Sequence, residues 1–556
     1  MNDPRNTTRP PQPADSPGPI RDDRKVADPR RTDLDVLRGI AMLLGIVLHS
    51  LVSFMPSPWP VQDSRQNDLF FIPVAVIHLF RMPLFFLLSG FFAMFILQKQ
   101  GVRGMLQHRT RRILLPLLLA LITIVPLSNF LRHGAVNSQV AEPRRRGELA
   151  EAIVAGDLPA AERLLAAGAS ANQADPGFGL TPLGWAAVTG NTGMITLLLD
   201  RGADLGAADG AGSTPLHQAA YFGWTPAVRL LLDRGANPAT RDKAGQTASS
   251  SCLGPFEAKE AKARKLRLPP PPAKATRRGI AEAAVMLEDA GGRAPLTLSG
   301  RLEDLSIRYR SLLYSDTLLL DFGGSTVHFF DEMVLDHLWF LWLLFLLLLF
   351  LALAVRLGFA PTGRFLWFIP PLTFFPQAMM GVVFGPDVWL GPLIPPPLLL
   401  LYYGSFFWFG AAVYARDGLG TSLGSRWRIL LPAGLLGFFP ASILLLGVKA
   451  GDALVQIACT WCLALGVMGL SAHCFRNLGY RARWFSDSAY WIYLAHLPLV
   501  LALQIAVLPL AWSPSLKFLL VFSTATAILL ASYRWLVRYT WIGTFLNGAR
   551  RPQPTG

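Results

Sequence analysis

Long apolar runs alternate with short basic loops along most of this chain. Ten runs hold enough consecutive apolar residues to cross a bilayer: 34–55, 74–97, 113–131, 337–357, 365–384, 398–414, 429–448, 453–472, 490–508 and 516–537. A crossing takes about 20 helical residues, because hydrocarbon offers no water to bare backbone groups. The pattern therefore predicts an all-α, polytopic membrane bundle of about ten transmembrane helices. Pro370, Pro371 and Pro376 interrupt the fifth run, and Pro395 to Pro397 crowd the start of the sixth. Prolines at membrane depth are tolerated where neighbouring helices or a cavity satisfy the freed backbone groups.

Composition agrees with lipid as the solvent. The 556 residues are 52% hydrophobic and 16% charged, against about 25% charged in soluble domains. The net charge of +15 points away from nucleic acid here, since excess Lys and Arg mark the cytoplasmic loops of membrane proteins. Arg103, Arg109, Arg111 and Arg112, then Arg356 and Arg364, Arg416, Arg426 and Arg428, and Arg476, Arg481 and Arg483 fall on one side. The other side holds little beyond Arg65, Lys449 and Lys517. Both termini are expected in the cytoplasm, with the protein in a bacterial inner membrane. Residues 1–33 have no apolar core before Leu34, so they read as a disordered cytoplasmic tail rather than a secretory signal. Residues 541–556 read as a second tail. Cys459 and Cys462 have the spacing of half a zinc site, but no second pair completes it, so they read as small apolar residues and no metal is expected.

Between the third and fourth runs the pattern changes to a repeat. Gly-x-Thr recurs at Gly179/Thr181, Gly212/Thr214 and Gly245/Thr247, a period of 33. The sequences LTPLGWAAVTGNTGMITLLLDRGAD and STPLHQAAYFGWTPAVRLLLDRGAN resemble ankyrin repeats, a helical solenoid unit of that length. Thr-Pro opens a first helix, small Ala residues allow tight packing, and Leu-Leu-Leu on the second helix fills the shared core. Gly202 and Gly235 close the second helices where left-handed backbone is wanted. A degenerate repeat, GELAEAIVAGDLPAAERLLAAGAS, opens the array. After Thr247 a Lys/Arg/Pro-rich loop at 252–279 interrupts it, and IAEAAVMLEDAGG then reads as the missing second helix of the last repeat. His217 reads as structural, its ring bonded to the neighbouring turn. The domains are thus a tail (1–33), three spans (34–131), an ankyrin insertion (144–295), seven spans (331–540) and a tail (541–556). The insertion falls on the outer, periplasmic side by the span count, and suits a protein partner that the sequence does not name.

Ionisable residues inside a span are costly and point to function. Arg38 and His49 lie eleven residues apart in the first run, so they share a helix face about 16 Å apart along the axis. A cation at the inner surface and a proton acceptor deep in the membrane suit a ligand with an anionic head and a long arm. Acyl-coenzyme A has that shape, with phosphates at one end and a thioester at the other.

DLDVLRGIAMLLGIVLHS carries an Arg-x10-His pattern and resembles the acyltransferase-3 family of integral membrane acyltransferases. FRMPLFFLLSGFF resembles the second span of that family, especially in its glucan biosynthesis protein C type. Arg109 to Arg112 match its Arg-x-x-Arg, and HLWFLWLL and YWIYLAHLPLV resemble its later spans. The resemblance covers about 34–131 and 331–540; the ankyrin insertion departs from it. It implies transfer of an acetyl or succinyl group from cytoplasmic acyl-coenzyme A to a hydroxyl, often on a carbohydrate at the outer face. His49 would be the general base, and Arg38, Arg109 and Arg112 would hold the donor phosphates. Arg81, His337 and His496 are the substrate-binding candidates. The donor is a substrate, and no tightly held cofactor is expected. Ser89-Gly90 reads as close helix packing rather than a nucleophile. A multi-pass transporter would also use proline-broken helices and buried charge, but the two halves show no inverted repeat. A membrane-tethered ankyrin scaffold would leave ten spans, and the Arg38/His49 face, without a purpose.

Overall fold

The computed structural model describes residues 31–55, 59–139, 146–175, 178–243, 245–252, 256–292, 335–380, 394–417, 424–445, 449–475 and 480–547, with Phe384 and parts of 301–328. Residues 1–30 of the expected N-terminal tail, and 548–556 of the C-terminal one, lie outside the described residues.

The first pass, Thr32–Leu51, opens with Asp33 and Asp35, whose carboxylates oppose the positive end of the helix dipole. Arg31 grips Asp33 at 2.6 Å. This helix is the axis of the bundle: Phe71–Arg109, Lys449–Phe475, Tyr480–Val507 and Pro514–Ser532 all pack on it. Among the described residues eight helices are long and apolar enough to cross a membrane, and the composite Asp68–Arg132 holds both the second and third runs. Its chain turns at Gly101, where φ is 69°, a backbone that a Cβ would disfavour. Leu115–Gln139 then continues as the third pass, and Trp339–Arg356 is the fourth.

The fifth run is not one helix. A 3-10 turn, Gly363–Phe368, leads into the short helices Ile369–Leu372 and Phe374–Met379, because proline supplies no N–H and clashes with the turn before it. The segment still runs the length of the bundle. Gly363 abuts Arg416 at the basic end, and Trp367 meets Phe409. Midway the Trp461 indole donates to the Thr373 hydroxyl at 3.1 Å and the Gln377 amide to Gln456 at 3.0 Å. Phe384 packs edge-on against Phe71 at the far end. The Thr373 hydroxyl in turn donates to the Pro370 carbonyl, and the Gln456 side-chain oxygen accepts from the Phe384 N–H, so polar side chains take up backbone groups that a broken helix sets loose.

Helices in lipid associate where small residues let backbones approach. A Cβ on Gly90 would collide with the Phe407 carbonyl, and one on Gly410 with the Leu87 carbonyl, so the second pass and Pro397–Asp417 cross at these two glycines. Gly424 and Gly469 make the same kind of contact between the turn that leads into the seventh run and the eighth run.

The ankyrin insertion builds helix pairs from Glu148–Ala155 and Leu158–Ala166, Pro182–Thr189 and Thr192–Asp200, and Pro215–Tyr221 and Thr225–Asp233. The Gly184 N–H donates to the Thr181 hydroxyl at 3.1 Å. Thr214 and His217 form a reciprocal cap, and the His217 Nε2 lies 3.1 Å from the Gln246 carbonyl. Burial pushes the His217 pKa below its usual value, so the ring is a neutral structural bridge. Gly202 and Gly235 take φ of 81° and 92°. The last repeat is completed by Ala273–Leu287, which packs on Thr225–Asp233 and Ala248–Cys252. Two stretches differ from expectation. The basic loop contains a helix, Phe256–Lys265, and the C-terminal tail starts with another, Trp541–Asn547, held by buried Leu546. Leu319–Phe322 and Ser325–His328 pair antiparallel, the only two-stranded sheet among the described residues.

Candidate functional site

The first pass and Tyr480–Val507 lie side by side and run the same way. Arg38 donates to the Ser486 hydroxyl at 3.1 Å, and further along the His49 and His496 ring centroids are 5.2 Å apart. Eleven residues on one helix and ten on the other separate these contacts, as equal rise along parallel axes requires. Parallel first and ninth passes need the fifth run as a traverse; without it the ninth would run backwards.

His49 is the hub of the end remote from the basic loops. The Trp59 ring stacks on it at 5.3 Å and 25°. The Trp59 indole donates to the Gln504 Oε1 at 2.9 Å, and the Gln504 amide donates to the His49 carbonyl at 2.7 Å. His337 stands edge-on to His496 with centroids 5.3 Å apart, so three imidazoles form one cluster. The His496 Nδ1 is 2.7 Å from the Tyr493 carbonyl. A carbonyl partner requires N–H at that nitrogen, which leaves Nε2 of the neutral ring as an acceptor. The His337 Nε2 lies 3.2 Å from the Leu494 carbonyl, and its Nδ1 faces Asp336 at 3.5 Å. Tyr493 donates to the His337 carbonyl at 2.6 Å, and Arg132 closes an ion pair with Asp336. Nδ1 of His49 and Nε2 of His496 are buried without a partner among the described residues.

Arg81 reaches this cluster from the second pass. Its guanidinium fills the space that a Cβ on Gly45, about one turn before His49, would occupy. Its Nε is buried with no partner among the described residues, and it shares with Arg132 the electrostatic neighbourhood of His49. At the basic end Arg38 also pairs with Asp35 at 3.6 Å. Arg109 is half-buried there beside Arg38 and Arg112, its Nε and one terminal nitrogen buried and unpartnered among the described residues. Guanidinium forks in that state suit phosphate oxygens.

The structure thus gathers the expected residues into two groups. Arg38, Arg109 and Arg112 share one end; His49, His337, His496 and Arg81 share the other. Sequence reasoning missed Trp59, Gln504, Tyr493, Asp336 and Arg132. Gln504, a lone amide within LALQIAV, carried a legible signal; a polar residue in a span asks for a partner. Cys459 is buried with its thiol directed at the Gly434 carbonyl, and no group of three or more His, Cys, Asp or Glu side chains is arranged to hold a metal ion among the described residues.

Comparison with known proteins returns two families. The acyltransferase domain matches residues 31–146 and 296–534, and ankyrin repeats, in three copies, match 149–242. Glucans biosynthesis protein C of Salmonella paratyphi B is 30% identical over 106 residues, covering 19% of this chain and 27% of that protein. The proteins of the same name from Salmonella heidelberg and Salmonella enteritidis match at the same identity and coverage. The chain thus spans about a quarter of the length of these curated relatives.

Proposed function

Because this chain belongs to the acyltransferase-3 family, we propose that it moves an acetyl or succinyl group from acyl-coenzyme A to a hydroxyl of an envelope glycan. Its basic loops would face the cytoplasm of a bacterial inner membrane, where the donor is made, with both termini on that side and the ankyrin insertion outside. The acceptor would meet the thioester at His49. The observation that carries this reading is an imidazole with a buried, open Nδ1, three turns along one helix from a guanidinium cluster.

In this reading the acceptor oxygen attacks the thioester carbonyl while its proton passes to His49. The C–S bond then breaks, and the imidazolium returns the proton to the departing thiolate. Arg81, with its Nε open, receives negative charge carried by the acyl group or the acceptor. His496 and His337 line the same spot and bind the acceptor. Arg38, Arg109 and Arg112 hold the donor phosphates.

Mass spectrometry of envelope glycans from cells with and without the protein tests the reading. An acyl-bearing glycan present only with the protein is expected, and identical profiles would sink it. Within that scheme Arg109→Ala raises the KM for the donor on the order of 10- to 100-fold, the worth of a charge-assisted hydrogen bond. Its kcat changes little. Donor titration in membrane vesicles measures both, and an unmoved KM would remove Arg109 from the donor site.

A further inference from the structure

The basic stretch inside the last ankyrin repeat is held against the array. Trp185 and Gln218 hold the same place in successive repeats, 33 residues apart, on the first helix of each pair. Gln218 meets the segment around Phe256–Lys265 directly, and Trp185 is linked to it through Arg146. Arg146 lies over Trp185 at 5.1 Å and donates to the carbonyls of Leu266 and Arg267 at 2.6 and 2.9 Å. The Lys262 ammonium donates to the Gln218 Oε1 at 2.7 Å and sits 4.5 Å from the Tyr221 ring, with the Lys259 Nζ 4.9 Å from that ring. Ala263 and Leu266 enter the core of the array. Lys259, Lys262, Ala263 and Leu266 fall at i, i+3, i+4 and i+7, one stripe of a helix.

The face under this helix has the matching chemistry. Tyr221 offers a ring to ammonium groups. Gln218, which accepts from Lys262, donates in turn to Asp209 at 2.7 Å. Asp209 and Asp242 are the carboxylates acting on Lys262, and Lys265 is the cation beside it. Burial pushes the Lys262 amine down to about 8, against the pull of the two aspartates. A ten-residue helix is marginal in water, so the order of this one comes from the face it lies on. Pro269 to Pro272 follow it, a stiff spacer that keeps the segment beside the array at high effective concentration.

We infer that this face of the ankyrin array receives a lysine-bearing amphipathic helix of a partner protein, and that Phe256–Lys265 is a resident occupant which the partner displaces. The inference is independent of the acyl-transfer chemistry.

The probe is a fluorescein-labelled peptide of residues 254–268, titrated by anisotropy into the purified full chain in detergent. Replacing 256–268 with a Gly/Ser linker of equal length should open the face. The peptide is expected to bind that chain at least tenfold more tightly than the intact one. A peptide with Lys259 and Lys262 changed to glutamate should bind neither. A second variant, Lys259→Glu with Lys262→Glu in the otherwise intact chain, loosens the resident helix without changing chain length and should also take up the wild-type peptide. Equal affinity for intact and opened chains, or no binding to either opened form, overturns the inference.

Discussion

Replacing His49 with alanine lowers acyl transfer by about 10²- to 10⁴-fold, the contribution of a positioned general base, and leaves the protein in the membrane. The separation of these effects has a structural cause. Gln504 holds the His49 backbone carbonyl rather than its ring, so that tie survives the substitution. The helix itself is fixed by its acidic first turn and its central packing. What alanine removes is the imidazole between Trp59 and His496 with its open Nδ1. Transfer from a labelled donor, per mole of protein in vesicles, measures the effect. Activity within tenfold of the unaltered protein would show that another group takes the proton.

The second large effect concerns stability. Arg132 and Asp336 pair in a buried setting, and removing one partner of such a pair strands the other charge. Asp336→Ala is therefore expected to cost about 3–5 kcal/mol. Arg132→Met combined with Asp336→Leu, which removes both charges and keeps the volume, should recover most of that loss, since buried pairs gain little over apolar packing. Thermal unfolding in detergent ranks the three proteins. A single variant as stable as the parent would mean that Arg132 does not depend on Asp336. Asp336 also faces His337, so the double variant, though folded, should still transfer acyl groups more slowly.

What the sequence made legible was local spacing. Arg38 and His49 share one helix, and Arg109 and Arg112 share one turn, so their grouping needed only helical geometry. The 33-residue period likewise announced the ankyrin array. The missed residues all act across long stretches of chain: Trp59 and Gln504 are 445 residues apart, and Arg132 and Asp336 are 204 apart. No periodicity encodes such pairings. The fifth run fell between the two cases. Its prolines foretold the break, but hydropathy does not distinguish a straight helix from a broken one that still traverses the bundle. The helix Phe256–Lys265 was hidden for another reason. Lysines count as solvent-seeking in any pattern, whereas here Lys259 and Lys262 rest against an aromatic ring, as their long stems allow.

The third pass carries Arg132 near its end and the fourth opens just after Asp336, and those two side chains touch. That pair closes a neck under the stretch between them, which is tied to the bundle again where the Ser306 hydroxyl donates to the Met379 carbonyl and Leu302 packs on Ala378. The entropy of such a loop grows only logarithmically, about 0.6 kcal/mol for each doubling in length. A graft of any size at this point therefore costs the membrane half almost nothing while its base stays fastened. The neck also abuts His337, which joins the base of the graft to the imidazoles.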